Sequence, residues 1–321
     1  MFNKFFYTHK YNIGIGLLLI AAFAVFYPSV YCGLTNWDDN WMVTKNSLIR
    51  SLEFSNIKEM FFGKIYVLNY QPLVFLSYAL EYHFFGLDPS VFHFTNICLH
   101  ILNILLVYHF LKKLSGKAAV ALIAAALFAF HPMRVESVTW VTARRDLLYT
   151  CFYFLSLIQY LKYVRGVKTG MGSRHCYLAA LVFFLFSCLS KGMAVSLCLI
   201  LFLIDYYESR KITKKMVFDK TPFFIMALVF GLIAVFATHN KDMIAGYSDY
   251  TWVERLLFAC YALLFYIYKL ILPTGLSVVY PYPDYESGML PSYYWAFMLI
   301  CTLLAAIMVY SIKKWRNTVF G

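Results

Sequence analysis

The sequence predicts an all-α polytopic membrane protein, and three observations predict it. Hydrophobic residues make up 62% of the chain and charged residues only 14%, against roughly 45–50% apolar content in a soluble domain. About nine charge-poor apolar runs follow one another along the 321 residues, and Lys and Arg gather in alternate segments between them. Long stretches alternating apolar with polar residues are absent from the sequence, which argues against a membrane β-barrel.

The first run, 13–31, carries no charge and is long enough to cross a bilayer. Lys4 and Lys10 before it favour a cytoplasmic N-terminus. Ser29-Val30-Tyr31 lacks the small residues of a cleavage site, so this run reads as an uncleaved anchor. Segment 32–90 is acidic on balance, with Asp38, Asp39, Glu53, Glu59, Glu81 and Asp88 against Lys45, Arg50, Lys58 and Lys64, and belongs outside as a first large loop. Within it, 47–62 and 73–85 have helix-like apolar spacing and many aromatic rings. They are expected as amphipathic helices on the membrane surface, either as interfacial anchors or as a substrate platform.

Apolar runs at 91–111, 118–130, 147–163, 177–189, 193–207, 222–238, 256–272 and 293–312 complete the set. Several are shorter than the ~20 residues a perpendicular crossing needs, so they borrow flanking residues or are broken. The N-terminal tail, Lys112 with Lys113 and Lys117, the group Lys162, Arg165, Lys168 and Arg174, and the segment 208–220 together carry a charge equal to the formal net charge of +12. They alternate along the chain as cytoplasmic loops do, so the basic pI calls for no nucleic-acid partner. Lys313, Lys314 and Arg316 also look cytoplasmic, yet three runs separate them from 208–220. Either one of those runs is re-entrant or this last cluster departs from the rule. Residues 1–321 thus read as a single transmembrane domain of the cytoplasmic (inner) membrane, without a soluble domain. The eight cysteines form no CxxC pair and mostly lie in apolar runs, so no disulfide, zinc site or cofactor is assigned, and nothing in the spacing supports a divalent metal.

Candidate chemistry gathers on the outer side. The pair Asp38-Asp39 after the first anchor either caps a helix or accepts a proton, and Asp39 is weighed slightly ahead of Asp38. His93, Asn96, His100 and Asn103 form a polar stripe on one helical face, which must look into the bundle or a wet cavity. His93 and His100 are about 10.5 Å apart along a helix, too far to share an ion, so hydrogen bonding between helices is the better reading. The segment from His131 through Arg134 and Glu136 to Arg144-Arg145-Asp146 is net basic on the outer side, and Lys191 emerges there too. Arginine there either pairs with Glu136, Asp146 or lipid headgroups, or takes an anionic substrate group through its planar fork. Carboxylates and cations on a face without cytosolic nucleotides suit group transfer from a lipid-linked phosphosugar.

Several stretches occur in an order that resembles a known family. They are Trp37-Asp38-Asp39; Tyr70-Gln71-Pro72-Leu73; His93-Phe94-Thr95-Asn96 with His100 and Asn103; His131-Pro132-Met133-Arg134-Val135-Glu136-Ser137-Val138-Thr139-Trp140-Val141 through Arg144-Arg145-Asp146-Leu147-Leu148; Ser190-Lys191; and Tyr261-Ala262-Leu263 leading to Leu272-Pro273 and Tyr280-Pro281-Tyr282-Pro283. The ordered set resembles the GT-C superfamily of membrane glycosyltransferases, in the protein O-mannosyltransferase-like branch that includes the TMTC proteins and bacterial relatives. The resemblance implies a polyprenyl-phosphate sugar as donor, a protein or glycan hydroxyl as acceptor, and an acidic base in the first outer loop, mapping to Asp38 or Asp39. It implies inverting displacement, with Arg134, Arg144, Arg145, Lys191 and Arg255 as candidates for the leaving phosphate. Gln71 stands where relatives often carry Arg, and Gly192 where Glu often follows the lysine. The sequence ends at Gly321 near where relatives begin further spans, so a short or truncated member is expected, and an inactive scaffold is one alternative. A transporter or flippase with a proton path through the acids and His100 is the other; it would want midplane charges and internal repeats, and neither is visible.

Overall fold

The computed structural model describes residues 2–63, 70–170, 174–239, 250–280 and 290–311. It is helical throughout, with no strand among the described residues. Backbone packing divides the chain into two units, Met1–Lys241 and Asp242–Gly321. The expected basic cluster Lys313, Lys314 and Arg316 and the stretch Pro281-Tyr282-Pro283 lie outside the described residues, as do the side chain of Lys4 and residues Val319 to Gly321.

All nine predicted apolar runs are helical, but they are not nine equal spans. Among the described residues five helical segments are long and apolar enough to cross a membrane: Lys10–Tyr31, Pro89–Ser115, Val141–Lys168, Lys214–Ala237 and Tyr293–Ser311. A sixth arises if Ala118–Phe130 and Pro132–Thr139, bent by 59°, count as one. Length separates these from the two shorter apolar helices, Arg174–Ser190 and Gly192–Tyr207. Glu254, Arg255 and Lys269 interrupt the apolar run of Trp252–Ile271.

In the first unit, α1 (Phe2–Phe26) leads through a 3-10 turn, Tyr27–Tyr31, into the first loop. That loop is a packed body. A π-helical turn (Asn40–Thr44), a 3-10 turn (Ser47–Arg50), α2 (Phe54–Phe62) and α3 (Pro72–Phe85) bury Met42, Val43, Ile49, Met60, Val74, Phe75 and Tyr78 against Phe92 and Val141. α4 (Pro89–Ser115) starts on Asp88, whose carboxylate accepts from the Ser90 backbone N–H at 2.9 Å, with Pro89 in the first turn. It stops at Gly116, which takes φ +71°, a left-handed conformation that glycine adopts without strain.

α5 (Ala118–Phe130) presents Ala121, Ala125 and Ala129, all fully buried, to Ile104 and Tyr108 of α4 and to Ile15, Leu18 and Ala22 of α1. Small residues every fourth position let helix backbones approach closely inside a membrane. His131 then turns extended (φ −62°, ψ 128°), as a residue before proline must, and the chain bends at Pro132. α6 (Val135–Thr139) and a 3-10 turn, Val141–Ala143, deliver the chain to α7 (Arg144–Lys168). α8 (Arg174–Ser190) lies along α7, stitched by Ser156 Oγ donating to the Ala180 carbonyl and Ser187 Oγ to the Tyr149 carbonyl, at 2.8 and 2.9 Å. A 3-10 turn (Gly192–Ser196), α9 (Leu197–Tyr207), α10 (Lys214–Phe218) and α11 (Thr221–His239) complete the unit.

The segment expected as a basic loop after α9 is pinned by charge. Buried Asp205 pairs with Lys220 and, at 3.5 Å, with Arg210, which also meets Asp219. Glu208 accepts from Arg165 at 2.7 Å and Lys168 at 3.1 Å. Burial pushes its carboxyl up, but the two cations outweigh burial and hold it below its ordinary range.

The second unit contains α12 (Trp252–Ile271) and α13 (Tyr293–Ser311). Thr251 and Glu254 form a reciprocal capping box at the start of α12. Leu257, Phe258 and Tyr294 form its core.

Candidate active site

Asp38 and Asp39 sit one residue apart in opposite environments. Asp39 is fully buried. Its Oδ2 accepts from the Thr35 backbone N–H at 2.7 Å and from Thr35 Oγ1 at 2.8 Å, and its Oδ1 accepts from the Thr142 N–H at 3.2 Å. Asp38 keeps 43% of its side chain exposed, and its Oδ2 lies 3.8 Å from Arg145 Nη2. Trp140 completes the join: its indole N–H donates to Thr35 Oγ1 at 3.1 Å, and its ring meets Trp37 edge-on at 6.2 Å. The slight preference for Asp39 as base therefore meets a carboxylate closed off from solvent.

Arg144 differs in the same way from Arg145. Its guanidinium is fully buried, donating to Glu81 at 2.5 Å, to Asn96 Oδ1 and the Phe92 carbonyl at 2.8 Å each, and to Ser77 at 3.3 Å. Tyr78 faces it at 4.6 Å. A guanidinium with four such partners has no fork left for a phosphate in this arrangement, whereas the family resemblance counts Arg144 among the residues that bind the donor. It joins α3 and α4 to the start of α7.

Arg145 and Lys191 come together. Both line a cleft of about 200 Å³ whose other walls include Gln71 at the start of α3 and Phe230, Ile233 and Ala234 of α11. Lys191 extends from the end of α8 and donates to Asp146 Oδ1 at 2.5 Å, with a quarter of its side chain exposed. The cleft thus offers two cations beside an apolar helical wall, with an exposed carboxylate next to one cation. Gln71 occupies the position where an arginine would add a third.

The polar stripe of α4 is spent largely on neighbouring helices, as interhelical bonding predicts. Asn96 Nδ2 donates to the Trp140 carbonyl at 3.1 Å and Asn103 Nδ2 to the Leu147 carbonyl at 2.9 Å. His100 Nε2 lies 3.2 Å from the Ala129 carbonyl, and its ring packs between Phe26 and Phe128. His93 is buried on the same face. Among the described residues no three His, Cys, Asp or Glu side chains gather as a metal-ligand group.

Of the remaining candidates in the first unit, Arg134, His131 and Glu136 do not line the cleft. Arg134 stacks on Phe128 at 4.4 Å, His131 Nδ1 accepts from the Met133 N–H at 3.3 Å, and Glu136 is exposed on α6. Arg255 belongs to the second unit, where its Nε donates to the Tyr250 carbonyl at 3.1 Å. Sequence reasoning missed Thr35, Thr142 and Glu81 as partners. Glu81 did carry a signal: a lone carboxylate in the apolar stretch 72–85 needs a buried cation.

The chain is 40% identical over 95 residues to the protein O-mannosyl-transferase tmtc2 of Xenopus laevis, covering 30% of this chain and 11% of that protein. It is 30% identical over 193 residues to protein O-mannosyl-transferase TMTC1 of Mus musculus, covering 57% and 20%, and 31% identical over 166 residues to TMTC1 of Homo sapiens, covering 49% and 18%. Its curated relatives are TMTC protein O-mannosyl-transferases. The matched regions span between about a tenth and a fifth of the length of these TMTC relatives. No protein-family model matches the chain, and no solved structure matches it.

Proposed function

We propose that this TMTC-like chain transfers a sugar, mannose by likeness to its relatives, from a polyprenyl-phosphate donor to a hydroxyl of a protein or glycan acceptor. The single observation that carries the reading is the cleft: Arg145 and Lys191 in its lining suit a lipid phosphate, and Phe230, Ile233 and Ala234 suit the chain that carries it. Asp38, exposed and 3.8 Å from Arg145, is the general base. It takes the acceptor hydroxyl proton as that oxygen bonds to the anomeric carbon, while the bond from that carbon to the phosphate oxygen breaks. The departing polyprenyl phosphate leaves with the electron pair and is stabilised by Arg145 and Lys191. A single displacement inverts the anomeric configuration. The alternation of basic segments supports a reading with the N-terminus in the cytoplasm and the first loop outside, so that the chemistry runs on the outer face of the cytoplasmic membrane.

The test is transfer of labelled mannose from polyprenyl-phosphate mannose by membranes holding the full chain. Asp38→Asn lowers product by about 10²–10⁴-fold, the worth of a positioned base, at unchanged protein abundance. Arg145→Ala lowers it by about 10²-fold or more, as loss of one charge-stabilising donor does. Undiminished transfer by Asp38→Asn rejects the assignment.

A further inference from the structure

We infer that Asp39 is a positioning residue that holds Asp38 in register with Arg145, and that Thr35 and Thr142 are its working partners; this rests on the reading of Asp38 as base. A base must offer a free lone pair to a proton that reaches it. Asp39 is poorly suited to this: it is fully buried, and its two oxygens already accept three hydrogen bonds, two from Thr35 and one from Thr142, leaving a single lone pair on Oδ1 that solvent does not reach. The three bonds have a particular topology. Thr35 and Asp39 belong to the segment that carries Asp38, and Thr142 lies three residues before Arg145, more than a hundred residues away in sequence. The carboxylate therefore ties the strand of chain bearing the base to the turn bearing the cation. Trp140 reinforces the same join through its bond to Thr35 Oγ1.

Charge makes the join stiff. Hydrogen bonds to an ionised carboxylate are about twice as strong as neutral ones, and a buried carboxylate left without them is costly. With Asp39 fixed, Asp38 is one peptide unit from a held residue, and its side chain, 43% exposed, lies with Oδ2 3.8 Å from Arg145 Nη2. Thr35 is the more telling partner, because its hydroxyl both donates to Asp39 and accepts from Trp140. Serine preserves both bonds and alanine neither.

The experiment uses the full chain in lipid nanodiscs with polyprenyl-phosphate mannose and a Ser/Thr-containing acceptor peptide. Asp39→Asn and Thr35→Ala lower kcat by about 10²-fold, the effect of roughly an ångström of misplacement, with donor KM held within about twofold, while Thr35→Ser stays within about threefold of the parent. A second arm reads geometry without activity: Asp38→Cys paired with Arg145→Cys is joined by a short bis-maleimide, and the mapped cross-link falls when Asp39→Asn is added. Full kcat in Asp39→Asn overturns the inference. So does an inactive Asp39→Asn beside a fully active Thr35→Ala, which would make Asp39 itself the base. An unchanged cross-link yield overturns it as well. If the parent chain transfers no mannose, the proposed function fails, and the cross-link alone decides the inference.

Discussion

Arg144 is held by four groups from two helices: Ser77 and Glu81 on α3, and Asn96 and the Phe92 carbonyl on α4. Removing one member of a buried ion pair leaves the other charge uncompensated, at a cost of about 3–5 kcal/mol. Arg144→Met therefore destabilises the protein by about that amount in detergent melts, and adding Glu81→Leu restores most of the loss. Equal melts for the parent and Arg144→Met would refute the account. At this scale the sequence was partly legible. It marked His131 to Asp146 as chemically loaded, but Arg144 and Arg145 look alike in one dimension. Their difference depends on Glu81, some sixty residues earlier, and on which side of α7's first turn each faces. Asp38 and Asp39 present the same problem, since adjacent positions on a helical turn point to different surroundings.

At the scale of elements, the apolar runs were legible because hydropathy reports composition directly, whereas helix length and bending depend on single residues such as Pro132. The paired folding of 208–220 was not legible, because a net basic count conceals which charges are neutralised. Glu208 offers a test there. Arg165 and Lys168 outweigh the effect of burial and keep its carboxyl depressed, so the stability it contributes is complete above the ordinary carboxylate value of about 4.3 and is lost as pH falls through the lower folded value. Thermal stability in detergent falls across that acid window in the parent. Glu208→Gln is less stable than the parent at neutral pH and shows a smaller acid-side fall; parallel pH curves for the two proteins would contradict this.

Across the first unit, charge is sorted by end. α4 carries Phe92 against Arg144 near one end and Leu114 against Arg165 near the other, at 2.8 and 3.3 Å. Lys112, Lys113, Arg165 and Lys168 thus mark one end, and Asp38, Arg145 and Lys191 the opposite one. If the basic end is cytoplasmic, a membrane-impermeant maleimide labels the exposed native Cys32 in intact cells, and labels Lys117→Cys only after permeabilisation; the reverse pattern refutes the orientation. The shortness of α5, α8 and α9 has a further consequence. At 1.5 Å per residue their 13, 17 and 11 residues reach only about 20, 25 and 16 Å, against a hydrocarbon layer about 30 Å thick. Each has one end at the basic side, so each stops short on the side of the cleft. A bilayer meets helices this short by thinning locally, among the ways a short span is accommodated. On the function proposed above, such thinning brings the water surface down to a lipid-linked phosphate, and the acceptor is the partner that has to descend.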